Sequence, residues 1–143
     1  MLTLIPSDGH SAVIVVAHDH VSLADVKTTL RMIPRHHCEM GVIWDMRQAE
    51  LGELHCRDIK DVVASISALL PNNDTYRVAI LGNDPLHYGL FRTFQTYVEF
   101  AGLKRDYGYF TTLIEASEWI SAYVTLRNSG LPWPTTTLTE LTA

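Results

Sequence analysis

Three short clusters of ionisable residues each follow an apolar run: His18-Asp19-His20, Asp45-Met46-Arg47, and Gly82-Asn83-Asp84 with His87 just beyond. In an extended chain alternate residues face the same way, so His18 and His20 could share one ion. Asp45 or Asp84 would then add the carboxylate that completes a divalent site, or act as acid or base. A plainer reading of the same residues is structural. His18 and His20 are then solvated, Asp84 caps a helix, and Asp45 pairs with Arg47 or a backbone N–H. His-x-His without a third fixed ligand is common by chance, so the structural reading is preferred.

Other chemistry finds less support. His36-His37 and His55-Cys56 are adjacent pairs whose side chains diverge. The stretch Leu-Gly-Asn-Asp-Pro at residues 81–85 has one Gly and no Lys-Ser/Thr, so it is neither a phosphate loop nor a dinucleotide fingerprint. Asp84 would also repel an anion from the helix start that follows it. There is no Gly-x-Ser-x-Gly elbow, and neither Cys38 nor Cys56 has a catalytic context. The sequence thus offers no catalytic residue, no metal set and no cofactor motif.

Composition narrows the class. The 143 residues are 47% apolar and 19% charged, as in a globular domain with one core. A net charge of −5, with no cluster of Lys and Arg, argues against a nucleic-acid partner. No apolar run approaches the roughly 18–20 residues that span a bilayer, and the N-terminus lacks the charged region of a secretory signal. Two cysteines without CxxC spacing read as free thiols in a reducing cytoplasm.

The elements that must hold the three clusters follow from apolar periodicity. Strands are expected at residues 2–5 and 12–17, joined antiparallel through the turn signal Pro6-Ser7-Asp8-Gly9. Ser22 with Asp25 forms a capping box ahead of Leu23, Val26, Leu30 and Ile33, and Pro34 ends that helix. Residues 41–46 form an apolar run without alternation, as in a strand buried on both faces. Ile59, Val62, Val63, Ile66, Leu69 and Leu70 make one helical stripe, stopped by Pro71. A strand over 76–81 leads to Asp84 at the N-cap and Pro85 at the first helical position. Leu86, Leu90, Phe94, Tyr97, Val98 and Ala101 then form the expected core stripe, with Gly102 as the C′ residue. A last strand at 105–110 precedes a helix capped by Thr112 and Glu115, whose buried face carries Ala116, Trp119, Ile120 and Tyr123. The order β-β-α-β-α-β-α-β-α implies an α/β domain over residues 1–127. Its five-stranded sheet is mixed but mostly parallel, with four helices and right-handed crossovers. Residues 128–143 read as an extended or disordered Pro- and Thr-rich tail.

These landmarks resemble a family. A strand ending Trp-Asp-Met-Arg, a later Arg-Val-Ala-Ile-Leu strand, Tyr-Gly-Leu-Phe-Arg on a helix, and Phe110 with Ala116 and Trp119 are similar to the SpoIIAA-like/STAS-like group of small bacterial domains. The resemblance covers roughly residues 1–125. It implies a βα superhelix shared with anti-sigma-factor antagonists and CRAL-TRIO lipid carriers. The antagonists are switched by phosphorylation of a Ser after the central strand. Residues 45–58 contain neither Ser nor Thr, so that switch is not expected.

The function expected is therefore a non-enzymatic, cytoplasmic interaction or regulatory domain that forms a homodimer. The third helix carries more apolar surface than its core stripe needs, and its Tyr88, Gly89, Phe91, Arg92 and Gln95 are the candidate contact face. The first alternative is a module for a small apolar ligand or lipid. It would use the rim formed by His18, His20, Asp45, Arg47, Asn83, Asp84 and His87, since ligands of parallel sheets bind beyond the carboxyl ends of the strands. A metal-dependent enzyme at that rim is the second alternative.

Overall fold

The structure, a computed structural model, describes residues 2–6, 12–33, 41–70 and 77–128. Cys38, the His36-His37 pair, the residues Ser7-Asp8-Gly9, the stops at Pro34 and Pro71, and the tail beyond Asn128 lie outside them. The elements are β1 (Leu2–Pro6), β2 (Ala12–His20), α1 (Leu23–Met32), β3 (Gly41–Glu50), α2 (Cys56–Leu69), β4 (Val78–Leu81), α3 (Pro85–Ala101), β5 (Tyr107–Phe110) and α4 (Leu113–Asn128). The five strands form one sheet in the order β1-β2-β3-β4-β5. β1 pairs antiparallel with β2, and every other pair is parallel.

That order explains which face each helix covers. The parallel strands advance across the sheet in chain order, so crossovers of one hand put α1, α2 and α3 on the same face. Their Val26, Leu30, Val62, Ile66, Phe91 and Val98 pack with Val15, Trp44, Val78 and Tyr107 in one core. α4 follows the last strand and crosses back to nothing, so handedness leaves it free. It covers the opposite face, where Ala116, Trp119 and Ile120 meet Ile43, Ala79 and Leu81. Alternation along β3 and β4 feeds both cores, with Val42, Trp44 and Val78 on one side and Ile43, Ala79 and Leu81 on the other.

The α4 face is closely fitted. A Cβ on Gly108 would lie 2.9 Å from Phe110 Cε2 and 3.1 Å from Trp119 Cη2. Gly41 has φ of 147°, and a Cβ there would lie 2.7 Å from Ile120 Cγ2. Arg77, 1% exposed, stacks its guanidinium 4.6 Å from the centre of the Trp119 ring and donates to the Trp119 carbonyl at 3.1 Å. Arg77 Nε also lies 3.7 Å from Asp106 Oδ2.

Local chemistry sets the helix boundaries. Ser22 Oγ accepts from the Asp25 N–H and Asp25 accepts from the Ser22 N–H, each at 3.1 Å. Asp84 accepts the His87 N–H at 2.8 Å at the start of α3, and Gly102 closes that helix at φ 68°. Thr112 Oγ1 accepts the Glu115 N–H at 3.2 Å ahead of α4.

Three stretches differ from the expected pattern. β2 and β3 run on to His20 and Glu50, so two of the ionisable clusters are strand rather than loop. On α2, Leu69 is exposed rather than part of the stripe. On α3 the buried residues are His87, Phe91 and Val98, while Leu86 and Ala101 face out. Phe91 therefore points into the core and away from the contact face expected of it. His87 rather than Leu86 turns inward because its ring is bonded into the core, as described below.

Candidate functional site

The strand-end rim does not gather its ionisable groups into one site. β3 carries one extra residue opposite β2, with Val16 paired to Asp45 but His18 to Gln48. This bulge puts Met46 and Ala49 against the same core although they are three residues apart. Asp19 on the neighbouring strand has φ of 59°, which breaks the alternation that would aim His18 and His20 together. His18 Nδ1 lies 3.6 Å from the Asp19 carboxylate, while His20 sits between Glu50 at 3.3 Å and Glu53 at 4.0 Å. Asp45 is gripped by Arg47, whose Nε and Nη2 donate to its two oxygens at 2.9 and 2.8 Å and whose backbone N–H adds a bond at 3.2 Å. These hydrogen bonds hold the Asp45 carboxyl below its ordinary pKa, against the opposing effect of burial, and the Arg47 pKa is raised in return. Asp84 is occupied as a cap. Among the described residues no group of three His, Cys, Asp or Glu is placed to hold a metal ion.

The rim residue that reaches the interior is His87, only 4% exposed. Its Nδ1 accepts the Asn83 N–H at 3.3 Å and its Nε2 lies 3.2 Å from the Ala49 carbonyl, an arrangement that fits the tautomer with the proton on Nε2. Gly82 makes this possible, since a Cβ there would collide with the Tyr109 hydroxyl and the His87 Cβ. Tyr109 also meets Tyr88 edge-on at 5.3 Å and Phe91 at 5.5 Å.

Below His87 lies what the sequence did not announce, a cavity of about 120 Å³ between the sheet and the three helices α1–α3. Leu30, Val62, Ile66 and Phe94 wall it on the helix side, and Trp44, Val78 and Tyr107 on the sheet side. His87 is at the end where α3 begins. Arg105 lies toward the opposite end, just before β5, and is 5% exposed. Burial pushes the Tyr107 pKa up, and the neighbouring Arg105 charge partly offsets this. Among the described residues lining the cavity there is no carboxylate. Arg105 was not singled out by sequence, because an Arg between a helix and a strand ordinarily faces water.

Of the expected contact residues on α3, Tyr88 is 48% exposed, Gly89 and Arg92 are exposed, and Gln95 is intermediate. Leu86 is 48% and Phe100 85% exposed on the same helix. Cys56 is an exposed free thiol. No helix among the described residues is long and apolar enough to cross a membrane. The fold and site together define an α/β domain with an apolar chamber under three helices. No family model, curated protein or solved structure matches the chain.

Proposed function

We propose that this chain is a cytoplasmic, non-enzymatic binding domain of the STAS-like kind, and that its ligand is a small apolar molecule held in the cavity beneath α1–α3. The observation that carries this is the cavity itself. Protein interiors are packed like organic crystals, with few voids larger than a water molecule. Side chains that face an unfilled space lack the contacts that close packing would give them. A body that fills it recovers that contact energy, and an apolar cavity of about 150 Å³ is known to hold benzene. Among the described residues the rim gathers no converged set of acids, bases or ligands, which favours binding over reaction.

The test uses benzyl alcohol as a probe, followed by amide chemical shifts of the full chain. Saturable shifts at cavity-lining positions are expected in the wild type, together with their loss in Val62→Phe, which puts a ring into the space. Absence of binding to the wild type, or unchanged binding in a folded Val62→Phe, overturns the reading. Native mass spectrometry of freshly purified protein adds a second measurement, because a copurifying small molecule is expected.

The half-exposed Leu86 and Tyr88 and the bare Phe100 on α3 support a second reading, a homodimer or a regulatory protein partner engaged through that helix. Light scattering should then give a dimer, and Tyr88→Asp should shift it to monomer without unfolding. A wild-type monomer removes the homodimer.

A further inference from the structure

We infer that two copies of this chain associate through the solvent face of α3, the two helices antiparallel about a two-fold axis. Phe100 of each copy then seats over Gly89 of the other, and Arg92 of each pairs with Glu99 of the other. This deepens the homodimer reading given above, on which it rests, and stands apart from the cavity.

The face is defined by what α3 turns away from the sheet. Its buried residues are His87, Phe91 and Val98. With about 3.6 residues per turn, Gly89, Thr93, Thr96 and Phe100 fall on the opposite side. Arg92 and Glu99 run along one border of that side, and Leu86 lies on the other. Phe100 is 85% exposed, more than any other large apolar side chain among the described residues, and Leu86 is 48% exposed. A Cβ placed on Gly89 would meet nothing within 4 Å, so this residue leaves an open notch about three turns before Phe100. The hydroxyls of Thr93 and Thr96 donate to the Gly89 and Arg92 carbonyls, each at 3.1 Å. Covering this face therefore strands neither hydroxyl donor.

Charge selects the occupant. Arg92 and Glu99 are the two residues of α3 with a full charge at neutral pH, and both are exposed. Neither side chain forms an ion pair with a described residue. They stand about 10 Å apart along the helix axis, too far to meet on one helix. A second copy running the other way removes that separation. With Phe100 over Gly89 of the second copy, Arg92 comes within about 3 Å, along the axis, of Glu99 of that copy. A two-fold axis repeats the contact, so both charges of both copies are matched. Leu86, within one turn of Gly89, then borders the incoming ring. Parallel packing of the same faces would instead set Arg92 against Arg92 and Glu99 against Glu99.

The test is light scattering and sedimentation of the full chain and its variants, each checked for its fold by circular dichroism. The wild type should be a dimer. Arg92→Glu and Glu99→Arg each put like charges in contact and should raise the dissociation constant at least about tenfold. Mixed in equal amounts, these two variants should recover the dimer, because every pair across the axis is again opposite in sign. Phe100→Asp removes the ring and places a charge in the seam, and should leave a monomer. A dimer that survives all three substitutions overturns the inference and leaves a homodimer built elsewhere on the surface. Charge variants that separate but do not recombine on mixing overturn the antiparallel pairing. A wild-type monomer removes the inference together with the homodimer reading, leaving this face to a different protein and the cavity reading untouched. Should Phe100→Asp not fold, the charge variants and their mixture still decide the matter.

Discussion

The two faces of the sheet are built from the same five strands yet solve the packing problem differently. On the α4 face a single helix is pressed down until glycine is the only residue that fits beneath it, with Gly41 under Ile120 and Gly108 under Trp119. On the other face three helices stand over the sheet and leave about 120 Å³ unfilled. Among the described residues each face buries one arginine, but with different surroundings. Arg77 is stacked on Trp119 and bonded to its carbonyl, as a strut between α4 and β4. Arg105 stands in the wall of a space. A close-packed face holds the domain together, and the loosely filled face is the one where the proposed ligand would sit.

The sharpest way to break this comparison is Trp119→Ala. It removes the largest fully buried side chain among the described residues, together with the ring beneath Arg77. A loss of roughly 3–5 kcal/mol is expected by chemical denaturation, as for other buried aromatics. A loss under about 1 kcal/mol would mean that the α4 face is not closely packed. Next comes a matched pair of enlargements. Gly108→Ala puts a methyl against Phe110 and Trp119 and should cost about 1–3 kcal/mol. Val62→Phe adds far more volume on the cavity side and should be neutral, or stabilise by about 0.5–2 kcal/mol. If the smaller addition is tolerated and the larger one unfolds the protein, the contrast between faces is wrong.

This contrast marks the limit of what sequence patterning could say. Several features fixed within one turn of chain were legible: the Ser22–Asp25 box, Asp84 before Pro85, Gly102 in the left-handed region, Thr112 with Glu115; the His55–Asp58 cap of α2 was not. So was the mixed sheet, because strand and helix periods differ and connection lengths distinguish a hairpin from a crossover. The site was not legible, because it is a property of distances between elements. A cavity is the residue of how three helices happen to sit, and no period records it. The inward turn of Phe91 had an ambiguous signal, since α3 is apolar on more than one side and either stripe could face the core. What decides it is the bond from His87 to Ala49, 38 residues away. The His18–His20 pair misled because alternation assumes regular β geometry, which the left-handed Asp19 interrupts.

The smallest effect expected separates the rim from the cavity. Asp45 and Arg47 lie in the middle of β3, and three hydrogen bonds from Arg47 hold the Asp45 carboxyl below its usual pKa. The folded-state pKa is thus lower than the unfolded one, near 3.9. Such a group binds its proton more readily when unfolded, so its contribution is fully present above the unfolded value and is lost as pH falls through the folded one. The difference in Tm between wild type and Asp45→Asn should therefore be flat from about pH 5 to 8, where the carboxylate is ionised in both states, and should shrink below about pH 4. A difference that instead grows on acidification would mean that the Arg47 bonds do not favour the ionised form. The same variant should bind benzyl alcohol as the wild type does, since Asp45 does not line the cavity. Altered binding in Asp45→Asn would make the rim part of the site, and the division between a structural rim and a receptive chamber would have to be redrawn.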